Sequence, residues 1–152
     1  MNRLILHLLA CNLICLTGLA AEPPGFAFKE EANQLAITYR AQPVATYVFR
    51  DEKILRPFFS HVHAPGGIPV TRRHPPMAGQ DAIDHDTMHP GIWLAFGDIN
   101  GQDFWRNKAL IQHERFTERP SVRAGSLHFA ALNRLLTKDG KALGTQISRI
   151  TF

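Results

Sequence analysis

An all-β, antiparallel sandwich-type fold is what the 152-residue chain predicts. Three observations predict it. Apolar residues recur with period two in successive short runs, turn signals built on Gly, Pro, Asn and Asp separate those runs, and helical periodicity is almost absent. The length fits one domain. Hydrophobic residues make up 45% and charged residues 20%, which is a globular composition rather than a disordered or fibrous one. The net charge is +4, with Lys and Arg scattered and Arg72–Arg73 their densest pair. Nucleic-acid binding needs clustered cations, so that class is set aside.

Residues 1–21 read as a cleavable signal peptide. Arg3 supplies a basic start, Leu4 to Ala20 carries no Asp, Glu, Lys or Arg, and the run exits through Gly18-Leu19-Ala20-Ala21. A membrane anchor is the alternative, and Asn12, Thr17 and the small-residue exit favour cleavage. Cleavage removes Cys11 and Cys15, the two cysteines of the chain, leaving neither disulfide nor thiol chemistry. The expected mature protein is exported, periplasmic or extracellular, and meets a membrane only through its leader. Residues 22–25, Glu-Pro-Pro-Gly, form a short linker, and residues 26–152 form the domain.

Within the domain, Gln34–Arg40 places Leu35, Ile37 and Tyr39 on one face, Ala41-Gln42-Pro43 breaks the run, and Val44–Phe49 resumes it as an antiparallel partner. Arg56–His63 is the next strand, closed by Ala64-Pro65-Gly66-Gly67. Pro65 to Pro90 carries prolines at 65, 69, 75, 76 and 90 and reads as a long extended loop, a length that usually has a function. Gly91–Gly97 is a short apolar strand and Asp98–Gly101 a turn. A meander follows: Ile111–Phe116, Ser126–Leu136, a hairpin turn at Lys138–Lys141, and a last run through Ile147 and Ile150 to Phe152. Ala130–Leu136 also suits a helix, and the hairpin signal after it favours a strand.

Seven histidines lie beyond the leader, five of them in or beside the Pro/Gly-rich stretch. His61 and His63, two apart on a strand, point to one face. His85 and His89, four apart and flanked by Asp84 and Asp86, share a face if the backbone turns helically. Imidazoles beside carboxylates suit proton transfer near neutral pH or a divalent metal at His85, His89, Asp84 and Asp86. The bland alternative is a polar loop whose histidines cap turns. Trp93, Trp105 and Phe104 surround the Asp98–Gly101 turn, and aromatic faces beside Asp98 and Asn100 suit a sugar ring. Both tryptophans suit a core equally well. Arg72 is a candidate for holding a ligand carboxylate. No G-x-S-x-G elbow, phosphate-binding loop or dinucleotide fingerprint is present.

Two segments carry a resemblance. His63-Ala64-Pro65-Gly66-Gly67-Ile68-Pro69-Val70-Thr71-Arg72 is similar to a GPGGxPVTR segment, and Asp84 to Trp105 resembles a DH…HxGLWxAxGDxxGxDFW core. Both belong to a family of exported bacterial proteins that carries the label "methane oxygenase PmoA". The resemblance runs from about Phe26 to Phe152. Nothing after the leader is apolar enough to span a bilayer, so methane oxidation is not expected. The family is similar to galactose-mutarotase-like β-supersandwiches, which bind carbohydrates and move protons at the anomeric carbon. The resemblance therefore implies a carbohydrate-directed protein: a sugar binder or a mutarotase-like enzyme. His61, His63, His85 and His89 would supply protons, and Arg72, Trp93, Asp98, Asn100 and Trp105 would contact the ligand, with no resident cofactor. The alternatives are a non-catalytic interaction domain and a His/Asp metal site. Members run to about twice this length, which implies that the chain is the N-terminal half of the full sandwich and inactive alone. Leu127, Phe129, Leu143, Ile147, Ile150 and Phe152 are then expected beside an uncovered edge, open to self-association or to a complementing second chain.

Overall fold

Alternation in Gln34–Tyr39 becomes strand β2, which pairs antiparallel with β1 (Phe26–Glu30) on one side and β3 (Gln42–Val48) on the other. The break between β2 and β3 falls at Arg40 and Ala41, which take φ of 48° and 63°. Two consecutive left-handed residues make the tight turn whose twist matches an antiparallel pair. Pro43 therefore sits inside β3, opposite Thr38, at a register shift in the ladder. Strand β4 (Phe58–Ser60) completes a four-stranded sheet of order β1-β2-β3-β4. A two-stranded hairpin, β5 (His63–Ala64) and β6 (Ile68–Pro69), follows it. After the long loop come β7 (Leu110–Arg123), β8 (Ser126–Leu136) and β9 (Ala142–Thr151), a three-stranded antiparallel meander. The computed structural model describes residues 25–94 and 96–152, and no helix occurs among them. The proposed signal peptide and residues 22–24 of the linker lie outside the described residues.

The fold is all-β and antiparallel, with two sheets packed face to face. Leu35, Ile37, Tyr47 and Phe49 of the first sheet and its exit meet Leu127 and Phe129 of β8 in one buried cluster. The Tyr47 and Phe129 rings lie 5.1 Å apart, a spacing that suits tilted aromatic pairs. A second cluster, Phe104, Ala109, Ile111 and Leu135, lies under the segment that enters β7, and a third joins Val48, Ile54 and Phe58. Burial of this aromatic and aliphatic surface is what drives the two sheets together.

Three expectations need correction. Arg56–His63 is not one strand: the chain leaves the ladder after Ser60, and His61 takes φ of 49°. Among the described residues of 91–97, only Ile92 joins a ladder, as an isolated bridge to Phe59. Gly91 makes that approach possible, since a Cβ there would lie 1.9 Å from Phe59 O. Leu127 and Phe129 are not beside an open edge, because the first sheet covers both to 1% exposure or less. Ile150 and Phe152 also pack against that cluster and Leu143 against the second, so Ile147, at 47%, is the exposed one.

Candidate functional site

Arg56 organises the face from which the candidate site is built. It follows Leu55 and precedes Pro57-Phe58, and the flanking apolar residues carry its guanidinium inside, to 3% exposure. Nη1 donates to Phe104 O and Trp105 O at 3.1 and 3.0 Å, and Nη2 donates to Met88 O at 2.8 Å. The guanidinium carbon lies 4.8 Å from the centre of the Trp93 ring. Burial lowers the pKa of Arg56, and the Asp103 carboxylate opposes that effect. One cation thereby pins three segments of the chain, around residues 88, 93 and 104–105.

Around that cation the predicted aromatics come together. His89 N–H donates to His85 O at 2.9 Å, so the backbone closes one helical turn and the two imidazoles meet at 6.1 Å. His89 lies 5.3 Å from Trp93, and Trp93 lies 6.0 Å from Trp105. The order is a ladder, His85–His89–Trp93–Trp105, exposed at both ends and half-buried at Trp93.

Other predicted residues do different work. Arg72 donates to His89 O, Ala82 O, Asp84 O and His85 O, at 2.7 to 2.9 Å, and folds the loop around itself. A planar fork with five donors suits that task, and few donors are left over. Asp98 accepts the N–H of Gly101 at 2.7 Å, and Asn100 sits at φ 53°, so both shape the turn between Ile99 and Gln102. His85 Nδ1–H donates to Asp84 at 3.1 Å, while Asp86 accepts the N–H of Thr87. Among the described residues, no group of three or more His, Cys, Asp and Glu converges on a point where a metal would sit. His61 and His63 line a separate groove with Arg72, Arg73 and Asp81.

Beside Trp93, between β4 and β9, lies an open groove of about 410 Å³. Its apolar wall is Tyr47, Phe58, Phe59, Ile92 and Trp93, and its opposite wall is Asn133, Gln146, Ser148 and Ile150. Asn133 is 1% exposed and donates from Nδ2 to Gln146 Oε1 at 3.2 Å, yet its Oδ1 has no partner. Trp93 Nε1 is likewise buried without a partner. Buried polar atoms are nearly always paired, and leaving one unpaired costs about 1–3 kcal/mol. Asn133, which stands opposite His113 across the β7–β8 ladder, and Trp93 thus bring to the lining of this groove one acceptor and one donor left unpaired and shielded from solvent. Asn133, Arg56 and the groove itself escape sequence reasoning. The available signal was a polar interruption of an apolar run, at Arg56 and again at Asn133-Arg134 between Leu132 and Leu135.

A family model described as "Family of unknown function (DUF6807)" matches residues 34–151. No curated protein and no solved structure matches the chain.

Proposed function

The chain belongs to this DUF6807 family, and from its own geometry we propose that it is an exported, carbohydrate-directed protein that holds a sugar in the groove beside Trp93. The observation that carries the proposal is the pair of orphan atoms, Trp93 Nε1 and Asn133 Oδ1. A hydroxyl both donates and accepts, so a polyhydroxylated ring suits both atoms once the side chains that shield them from solvent move aside, and its apolar face suits the aromatic wall. The groove volume of about 410 Å³ is within the range of small-ligand sites. The resemblance to the exported PmoA-labelled proteins, and through them to mutarotase-like sandwiches, supports the same ligand class. Mutarotase-like proton transfer would draw on His89, whose ring lies 5.3 Å from Trp93.

Tryptophan fluorescence titrated with a panel of monosaccharides and oligosaccharides tests the reading. A saturable change is expected for at least one sugar, together with at least a tenfold loss of affinity in Asn133→Leu. Such a loss corresponds to about 1.4 kcal/mol. No response across the panel, or equal binding by the variant, overturns it. A second reading, a non-catalytic interaction domain, is favoured by Arg72 and Asp98, whose polar atoms are spent on holding the loop. Binding without any acceleration of mutarotation in polarimetry would support a purely non-catalytic role.

A further inference from the structure

Among the described residues, each sheet edge is guarded except that of β9. Strand β1 is five residues long and carries Lys29 and Glu30. Strand β4 is three residues long, and Ile92 exchanges both backbone bonds with its Phe59, at 2.7 and 2.9 Å. The hairpin of β5 and β6 has two residues in each strand. Strand β7 carries Pro120, a run of Glu and Arg, and three register shifts. Short length, charge, proline and irregular register are the devices by which a sheet edge refuses a further strand. Strand β9 lacks them. Its ten residues include one charge, Arg149, and no Lys or Pro, and its ladder with β8 runs unbroken from Gly144 to Thr151.

The hydrogen bonds define which groups of β9 are free. Leu127 and Phe152 exchange both backbone bonds, at 3.2 and 3.0 Å. In an antiparallel ladder such pairs recur at every second residue, so Ile150, Ser148 and Gln146 turn their backbone groups inward to β8. Thr151, Arg149, Ile147 and Thr145 therefore present N–H and C=O outward, and no backbone bond from the described residues reaches them. This edge borders the groove beside Trp93, where Ile92, Leu94 and Ile147 are exposed apolar side chains. A row of free backbone groups beside exposed apolar side chains is the kind of surface to which a strand adds.

We propose that β9 pairs with β9 of a second copy of this chain, antiparallel about a two-fold axis through Ile147. The residues of the strand favour this occupant. With Ile147 opposite the partner's Ile147, two β-branched apolar side chains meet on the axis. Arg149 then stands opposite the partner's Thr145, which keeps the two guanidinium groups apart. Ile150 stands opposite the partner's Gly144, a position where an added Cβ meets nothing within 4 Å. A parallel pairing in register would instead set Arg149 against its own copy. The axis is perpendicular to the sheet, so both copies keep the same inner face and the two meanders join into one continuous sheet. The assembly closes at two copies, because pairing consumes both bare edges and the guarded β7 edges end the joined sheet. The inference is independent of the sugar reading: it uses the outer backbone of β9, whereas that reading uses Asn133 and Trp93.

Sedimentation equilibrium of the purified protein tests the proposal. A dimer is expected at about 100 µM, dissociating on dilution to single chains whose Ile147 is exposed. Ile147→Lys and Ile147→Glu should each weaken association at least about tenfold, because like charges then meet on the axis, and an equimolar mixture of the two should recover it. Should the variants unfold, amide hydrogen exchange of the natural chain decides. The N–H groups of Thr145, Ile147 and Arg149 should be protected when concentrated and exchange fast when dilute, while that of Ser148 stays protected in both. A monomer at every concentration, an assembly that grows beyond two copies, a folded Ile147→Lys that still pairs, a mixture that recovers nothing, or outward amides that exchange fast at high concentration would each overturn the inference.

Discussion

Arg56 does at residue scale what hydrophobic contacts do elsewhere in the molecule. Its three bonds go to carbonyls of residues that have no ladder of their own at those points: Met88, Phe104 and Trp105. Hydrogen bonds to a charged group are worth about 1.5–3 kcal/mol each, and removing the cation also leaves three carbonyls with one donor fewer. Arg56→Met is therefore expected to cost about 3 kcal/mol or more in urea unfolding, with the tryptophan emission shifted because Trp93 loses its cation. Arg56→Lys should rescue little, since a single ammonium cannot span carbonyls at residues 88, 104 and 105. A variant as stable as the natural chain would show that the loop is held by other means. Arg72 does the same for the outer loop, where it gathers four carbonyls.

Strand β7 makes a pH dependence visible at the scale of one element. Its His113 is buried against Phe49 and Phe116, with ring centres 4.8 and 4.9 Å away. Burial first, then Arg50, lower its pKa below 6.5, and Asn133 and Glu30 oppose them. The unfolded chain thus takes up a proton before the folded one as pH falls. Stability contributed by neutral His113 is full above about pH 6.5 and is lost as pH falls from there toward the folded pKa. The lowered pKa of His61 acts in the same direction. The urea midpoint is expected to be lower at pH 5 than at pH 7.5, with a shallower dependence in His113→Gln, and a flat profile would refute the assignment. The same element shows what a sequence can and cannot convey. Ser126–Leu136 and its hairpin turn are legible because alternation and turn chemistry are both local. The expected Ile111–Phe116 falls short of Leu110–Arg123 because register shifts near His113, Phe116 and Glu118 break the period of two. The pairing of His85 with His89 and the nearness of Trp93 to Trp105 were legible from spacing and aromatic clustering, and the contact of His89 with Trp93 that joins the two pairs was not. Arg56 and Asn133 were not, since a lone polar residue gains its role from segments more than ten residues away.

At the scale of the whole molecule, the two sheets are joined through a small set of rings, and Phe129 is central to it. It is 1% exposed, lies 5.1 Å from Tyr47 of the first sheet and 5.8 Å from Phe116 of its own. Phe116 in turn meets Phe49 edge-on at 5.4 Å. Truncating a fully buried Phe costs about 3–5 kcal/mol, because transfer energy and a residual cavity add. Phe129→Ala removes contacts to both sheets at once, so the loss should appear as one earlier transition, with the far-ultraviolet and tryptophan signals moving together. Ile147 supplies the comparison. It is as apolar and lies on the adjacent strand, but at 47% exposure it leaves little cavity, and Ile147→Ala should cost about 1 kcal/mol or less. Equal losses in the two variants, or two separated transitions in Phe129→Ala, would mean that the sheets do not share a single core. The large difference is expected because the aromatic cluster, not the strand ladders, is what ties the four-stranded sheet to the three-stranded one.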